Sequence, residues 1–199
     1  MLTSPAGIMN PVMRRTRRVL LIGCLLTVPA VAWRGADVAV TVARDRAAAS
    51  AYQRGVALQQ ERRYGEAAAA FREAIATSPS AITAYADLGD VEASLGHLDE
   101  AVQAYRRLMA TYPFTYLAEL YRRVGFIELR GGRLQAAVED LRQASALDPG
   151  DWHAFYLLGH AQYRLGDLQA ARTAWERVLV LNPGFQPANE RLRQLDAEH

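Results

Sequence analysis

A degenerate repeat with a fixed internal grammar dominates this chain. Gly55, Gly89, Gly125 and Gly159 stand 34, 36 and 34 residues apart. Twelve residues after each comes a small residue (Ala67, Ala101, Ala137, Ala171), and twelve further on a proline (Pro79, Pro113, Pro149, Pro183). A period of this length belongs to stacked helical hairpins, in which each unit buries its apolar face only against its neighbours. Such an array is built to bind something, and the repeat alone does not name the ligand.

Within each unit apolar residues recur at intervals of three and four, the spacing of one helix face, and no stretch alternates like a strand. The expected class is therefore all-α. A first helix carries Ala51, Gly55 and Leu58 in unit one, Tyr85 and Gly89 in unit two, Tyr121 and Gly125 in unit three, and Phe155 and Gly159 in unit four. A second helix carries Ala67 with Phe71, Ala101 with Tyr105, Ala137 with Leu141, and Ala171 with Trp175. Small residues where two helices cross let the backbones approach, and the large residue one turn along fills the remaining space. Gly96, Gly132 and Gly166 fall where the first helix must stop, a place that favours the left-handed backbone. The prolines prevent the second helix from running on.

Charge separates the chain into two parts. The formal net charge is +2, but Arg14, Arg15, Arg17 and Arg18 all precede the first acidic residue, Asp37; without them 19 basic residues face 21 acidic ones. The repeat region therefore lacks the concentrated cationic surface that phosphate backbones require, which argues against a nucleic-acid partner. Hydrophobic residues make up 51% of the 199, enough for a core and too many for a disordered chain. All 23 basic residues are arginine, the usage of a GC-rich bacterial genome.

The arginines are followed by an uncharged run, Val19 to Trp33, in the order of a secretory signal with a cytoplasmic N-terminus. Fifteen helical residues span about 22 Å against a hydrocarbon core of about 30 Å. Pro29 breaks the run, and Ala30-Val31-Ala32 offers a small-x-small cleavage site that would leave Trp33 at the new N-terminus. Residues 1–32 are thus expected to be a signal peptide or, uncleaved, a membrane anchor, with 33–47 as a linker that is helical near its end. Leu21-Ile22-Gly23-Cys24 resembles a lipoprotein acylation box, but only Val19 to Gly23 separate Cys24 from Arg18, short of the usual apolar stretch of about 7 to 15 residues. Thr16 to Leu21 resembles a twin-arginine signal, although nothing else in the chain suggests cofactor-loaded cargo. Cys24 is the sole cysteine, so no disulfide forms within the chain.

The glycine, alanine and proline positions resemble those of the tetratricopeptide repeat family in four consecutive units, 48–81, 82–115, 118–151 and 152–185, followed by a polar capping helix at 186–199. The resemblance implies a right-handed superhelical solenoid whose concave face is built by the first helix of each pair. Departures are Arg62 where the other units have Gly, with Gly65 displaced, the insertion Tyr116-Leu117, and Leu58, Glu92, Glu128 and Gln162 at the eleventh position, where the family has aromatics. Ligand-facing positions of the family fall here on Ala49, Tyr52, Val56, Gln59 and Gln60 in unit one and on Thr83, Ala86, Asp90, Ala93 and Ser94 in unit two. In unit three they fall on Glu119, Arg122, Phe126, Leu129 and Arg130, and in unit four on His153, Tyr156, His160, Tyr163 and Arg164. The first half is small and mildly acidic, the second aromatic and arginine-rich. Exposed aromatics beside arginines are enriched at interface hot spots, while packing against adjacent helices is the plainer role for Phe126, Leu129 and Tyr163. The family's carboxylate clamp would need cationic and amide groups where Tyr52, Val56, Asp90, Glu119 and Arg123 stand, and only Arg123 matches.

No catalytic constellation is present in the sequence, and no metal or cofactor is implied. His153 and His160 are seven residues apart, about 10.5 Å along a helix and too far to share one ion. Glu66, Asp99, Glu100, Glu139, Asp140 and Asp167 fall near the starts of second helices, where carboxylates cap the dipole. The expected protein is a non-enzymatic scaffold on the periplasmic side of a bacterial inner membrane, holding a protein or peptide segment against Tyr52, Arg122, Arg123, Phe126, Arg130, His153, Tyr156, His160, Tyr163 and Arg164. The alternative is a membrane-anchored assembly subunit that uses its convex face or edges.

Overall fold

The computed structural model describes residues 37–79, 81–112 and 116–197. The chain divides into two units, Met1–Ala47 and Ala48–His199. In the first, residues 37–47 are helical and exposed. The arginine cluster, the apolar run Val19 to Trp33 and the cleavage site lie outside the described residues.

The second unit opens with α1, residues 48–60. Seven helices of 14 residues follow: α2 Tyr64–Thr77, α3 Ile82–Leu95, α4 Leu98–Thr111, α5 Leu117–Arg130, α6 Leu134–Leu147, α7 Trp152–Leu165 and α8 Leu168–Leu181. The last, α9, spans Gln186–Ala197. No strand occurs among the described residues. Each helix packs on the next, and α5 also touches α7, so the unit is a solenoid of hairpins with successive first helices side by side.

The four spaced glycines are where the two helices of each hairpin meet. A Cβ at Gly55 would lie 2.6 Å from the Phe71 ring, one at Gly89 2.5 Å from Tyr105, and one at Gly125 2.6 Å from Leu141; at Gly159 it would collide with the Trp175 indole. Phe71, Tyr105, Leu141 and Trp175 are themselves completely buried, as are Ala67, Ala101, Ala137 and Ala171 at the crossings. Glycine is therefore required by close approach, and each hairpin has one large side chain matched to one missing one.

Local backbone chemistry sets the helix lengths. Gly96, Gly132 and Gly166 adopt φ of 84°, 75° and 83°, as their positions in the repeat predict. In the first hairpin the same turn is made by Arg62, at φ 62°, so the departure in sequence leaves the geometry unchanged. At the other end, the residues capping α2, α4, α6 and α8 are Ser78, Tyr112, Asp148 and Asn182, with φ between −130° and −140° and positive ψ. Each precedes a proline, whose ring pushes the preceding residue out of the helical region.

The acidic residues do not all act as caps. Asp167 does, its side chain accepting a hydrogen bond from the Ala170 amide, and Glu66, Asp99 and Glu100 stand in first turns. Asp140 instead lies in the middle of α6, 3% exposed, and accepts two hydrogen bonds at 2.7 Å from Arg106 of α4. Its role is to tie two hairpins together, and Glu139 beside it bonds Gln143 rather than a helix end.

α9 covers the last hairpin. Ala188 and Leu195 are buried against Val178 and Trp175, Leu192 packs alongside, and Arg172 pairs with Asp196 at 2.6 Å. An exposed polar face on this helix lets the stack end in water.

Candidate functional site

The face formed by α1, α3, α5 and α7 carries a chain of polar contacts that crosses every hairpin. The Tyr52 hydroxyl of α1 bonds Asp87 of α3; burial, then this bond, raises the tyrosine pKa, and burial also raises that of Asp87. One turn along α3, Asp90 accepts hydrogen bonds from the Tyr105 hydroxyl at 2.5 Å and from Arg123 of α5 at 2.6 and 2.9 Å. Burial and the Asp90 carboxylate hold the Tyr105 hydroxyl well above its ordinary pKa. Arg123 reaches back to Glu119 at 2.9 Å, and Arg122 pairs with Asp151 at 2.8 Å. Asp151 also caps α7 through the His153 and Ala154 amides.

Between α3 and α5 this face opens into a cleft of about 320 Å³ lined by Asp90, Ala93, Ser94, Tyr105, Arg122, Arg123, Phe126, Ile127 and Arg130. Phe126 lies in it with 44% of its surface exposed. The Arg130 guanidinium lies 5.9 Å from the centre of that ring, within cation–π range, and donates a long hydrogen bond of 3.4 Å to the Ala93 carbonyl. Arg164 makes the corresponding bond one hairpin later, 2.8 Å to the Leu129 carbonyl.

The ten residues singled out in sequence thus separate into groups. Arg122, Arg123, Phe126 and Arg130 converge on the cleft, with Arg164 one hairpin along. Tyr52 tilts against Phe71 at 5.7 Å. Tyr156 and His160 meet edge to face at 4.6 Å and join Phe185 and Trp175 in an aromatic group, where Tyr163 lies 5.8 Å from Trp175. Burial there, with Arg191 nearby, lowers the His160 pKa to about 4, so the ring is neutral at physiological pH. His153 is exposed and stacks on Trp152 at 3.4 Å. Leu129 is buried among Val138, Leu141 and Leu158 and takes the plainer role of a core residue.

Sequence reasoning missed how far Arg122 and Arg123 are engaged within the chain. Their carboxylate partners were visible in the same frame, Asp90 and Glu119 at ligand-facing positions and Asp151 just before α7. Opposite charges at matching positions of neighbouring units were the signal.

The opposite side of the hairpins carries two equivalent grooves. Tyr85, Leu88 and Glu92 floor one of about 380 Å³, and Phe155, Leu158 and Gln162 floor one of about 420 Å³. Glu92 is 1% exposed and is bound by Arg72 at 2.5 Å and His97 at 2.8 Å. Glu128, the same position in the third hairpin, is held by Arg133. Gln162 is equally buried, and its Oε1 has no hydrogen-bond partner among the described residues.

Among the described residues no group of three or more His, Cys, Asp or Glu converges as metal ligands would. Among the same residues no helix is long and apolar enough to cross a membrane.

The sequence model described as tetratricopeptide repeat matches residues 52–114 and 127–189, more than half of the chain. The protein belongs to the tetratricopeptide repeat family. Its curated relatives include RNA polymerase II-associated protein 3 of Xenopus tropicalis, 31% identical over 103 residues, and the protein CTR9 homolog of Arabidopsis thaliana, 32% identical over 96. These matches cover 52% and 48% of this chain but only 15% and 9% of those proteins, so the likeness is confined to a small part of each. Among solved structures, MamA superposes with a TM-score of 0.70 at 21% identity, covering 75% of this chain and 80% of that one. YrrB, a tetratricopeptide protein with an unusual peptide-binding site, gives 0.63 at 20% identity over 74% and 75% of the two chains. The pilF product of Pseudomonas aeruginosa gives 0.63 at 23%, over 78% and 70%. At such identities the likeness is one of fold, a solenoid of tetratricopeptide hairpins.

Proposed function

We propose that this tetratricopeptide protein is a non-enzymatic adaptor that holds a segment of another protein in the cleft between α3 and α5 and along the neighbouring face of α7. The observation that carries this reading is Phe126, a large aromatic side chain left 44% exposed at the centre of a concave, arginine-lined cleft. Buried aromatic and arginine anchors supply most of the energy of typical interfaces, and a family member, YrrB, has a peptide-binding site. The partner-facing set is Phe126, Arg130 and Arg164, with Arg122 and Arg123 shaping the wall. Tyr52, His153, Tyr156, His160 and Tyr163 border the same face and extend it.

The adaptor is placed on the periplasmic side of a bacterial inner membrane. What supports this location is the cluster of four arginines followed by fifteen uncharged residues that include a small-x-small site. A protein mass beginning at Trp33 would mark a released adaptor, and a mass including the apolar run would mark an anchored one.

The function is tested by substituting Phe126→Ser and comparing co-purified envelope proteins with those of the wild type. Loss of a discrete partner with an unchanged circular dichroism spectrum supports the cleft. Retention of every partner by F126S, with loss on substituting the exposed Val180 of α8, would favour the assembly subunit that uses its other face.

A further inference from the structure

The cleft has a chemical preference that its shape alone does not reveal. Of the charged side chains that line it, three are arginines and one is Asp90. That carboxylate is already bonded to Tyr105 and Arg123. Most other arginines of the repeats are similarly committed: Arg72 to Glu92, Arg106 to Asp140, Arg122 to Asp151, Arg123 to Asp90 and Arg133 to Glu128. On this face Arg130 and Arg164 differ, because neither forms an ion pair among the described residues.

These two occupy the same place in successive hairpins, at the C-terminal ends of α5 and α7. Each donates one nitrogen to a main-chain carbonyl of the preceding first helix, Arg130 to Ala93 and Arg164 to Leu129. A guanidinium has five N–H donors in a fork that matches a carboxylate. One bond to a carbonyl fixes its position beside a negative helix end and leaves most of the fork unspent. The corresponding residues of the first two hairpins are Gln60 and Ser94, so the cationic rim belongs to the second half of the face only. Phe126 lies one turn before Arg130 on α5, with the guanidinium near its ring. An anionic group on Arg130 therefore arrives beside an exposed apolar surface.

Resting on the cleft reading above, the geometry points to an acidic partner segment, in which Asp or Glu side chains meet Arg130 and Arg164 while an apolar side chain covers Phe126. Internal carboxylates suffice, because the contacts come from two separate hairpins. A nucleic acid is the less suitable anion, since among the described residues only Arg130 and Arg164 of this face lack an ion pair, and Asp90, Glu119 and Asp151 stand on the same face.

The test is selection of a phage-displayed random dodecapeptide library on the immobilised full chain, repeated with the double variant R130Q/R164Q and with F126S. The expected outcome is enrichment of sequences combining Asp or Glu with an apolar residue. Synthetic peptides of that sequence should bind about tenfold or more weakly to R130Q/R164Q, and weaken as salt rises. Enriched sequences without an acidic preference, lost in F126S but kept in R130Q/R164Q, would overturn the inference and leave the cleft standing. No enrichment, or enrichment indifferent to all three substitutions, would overturn both. Binding of a labelled oligothymidylate that depends on Arg130 and Arg164, with no acidic peptide selected, would replace the acidic segment with a nucleic acid.

Discussion

The indole of Trp175 fills the space that a side chain at Gly159 would occupy. Trp175 is fully buried, and its Nε1 donates to the Tyr156 carbonyl at 3.3 Å, so the ring is fixed from two sides and cannot swing away cheaply. Gly159→Ala is expected to destabilise the domain by about 1 to 3 kcal/mol, although alanine is the better helix former by about 1 kcal/mol. Urea unfolding measures it. A variant as stable as the wild type would show that the hairpin opens to accept a methyl group.

Arg62 supplies the reverse case. It makes the left-handed turn that Gly96, Gly132 and Gly166 make elsewhere, and that conformation costs an L-residue roughly 1 to 2 kcal/mol. Arg62→Gly should therefore stabilise the protein by about 0.5 to 1 kcal/mol, the gain being reduced by the greater freedom of glycine in the unfolded chain. Thermal unfolding is the measurement, and a lower melting temperature would contradict it.

Gln162 carries a buried oxygen without a hydrogen-bond partner where the first hairpin has Leu58. Removing an unsatisfied buried polar group typically recovers about 1 to 3 kcal/mol. Gln162→Leu is predicted to raise stability by about 1 kcal/mol in urea unfolding; a loss would mean that the amide is satisfied in solution.

Arg106 and Asp140 connect the second and third hairpins, and the carboxylate is almost wholly buried. Burial raises the Asp140 pKa, and the hydrogen bonds and charge of Arg106 oppose that rise. Arg106→Gln leaves the carboxylate without its cation, so the variant should be less stable by about 2 kcal/mol at pH 7, allowing for the exposed guanidinium. A raised folded-state pKa favours the protonated form in the fold. The deficit relative to wild type is therefore largest where Asp140 is ionised and shrinks as the pH falls into the range where its carboxyl is protonated. A deficit independent of pH would assign the loss to packing.

Much of this architecture was legible because the repeat places identical physical demands at identical positions. The Gly55, Gly89, Gly125 and Gly159 series reports close approach, and the prolines report helix ends, independently of what surrounds them. Contacts between hairpins were less legible. Asp140 reads in sequence as a helix cap, yet it lies mid-helix in α6 and faces Arg106 across a hairpin boundary. Arg122 and Arg123 read as ligand-facing, yet Asp151 and Asp90 of neighbouring hairpins engage them. These pairings depend on which residues the stack brings opposite one another. Arg62 was legible as a departure in sequence, but not as a residue that makes the same turn at a conformational cost.

A photoreactive benzoylphenylalanine placed at position 126 reports whether the cleft around Phe126 contacts a partner. The same residue at Val180 of α8, 68% exposed, serves as the comparison. After irradiation in the native host, position 126 should give a discrete crosslinked protein that position 180 does not. Crosslinking at 180 with none at 126 would place the partner on the other face and rule out the cleft.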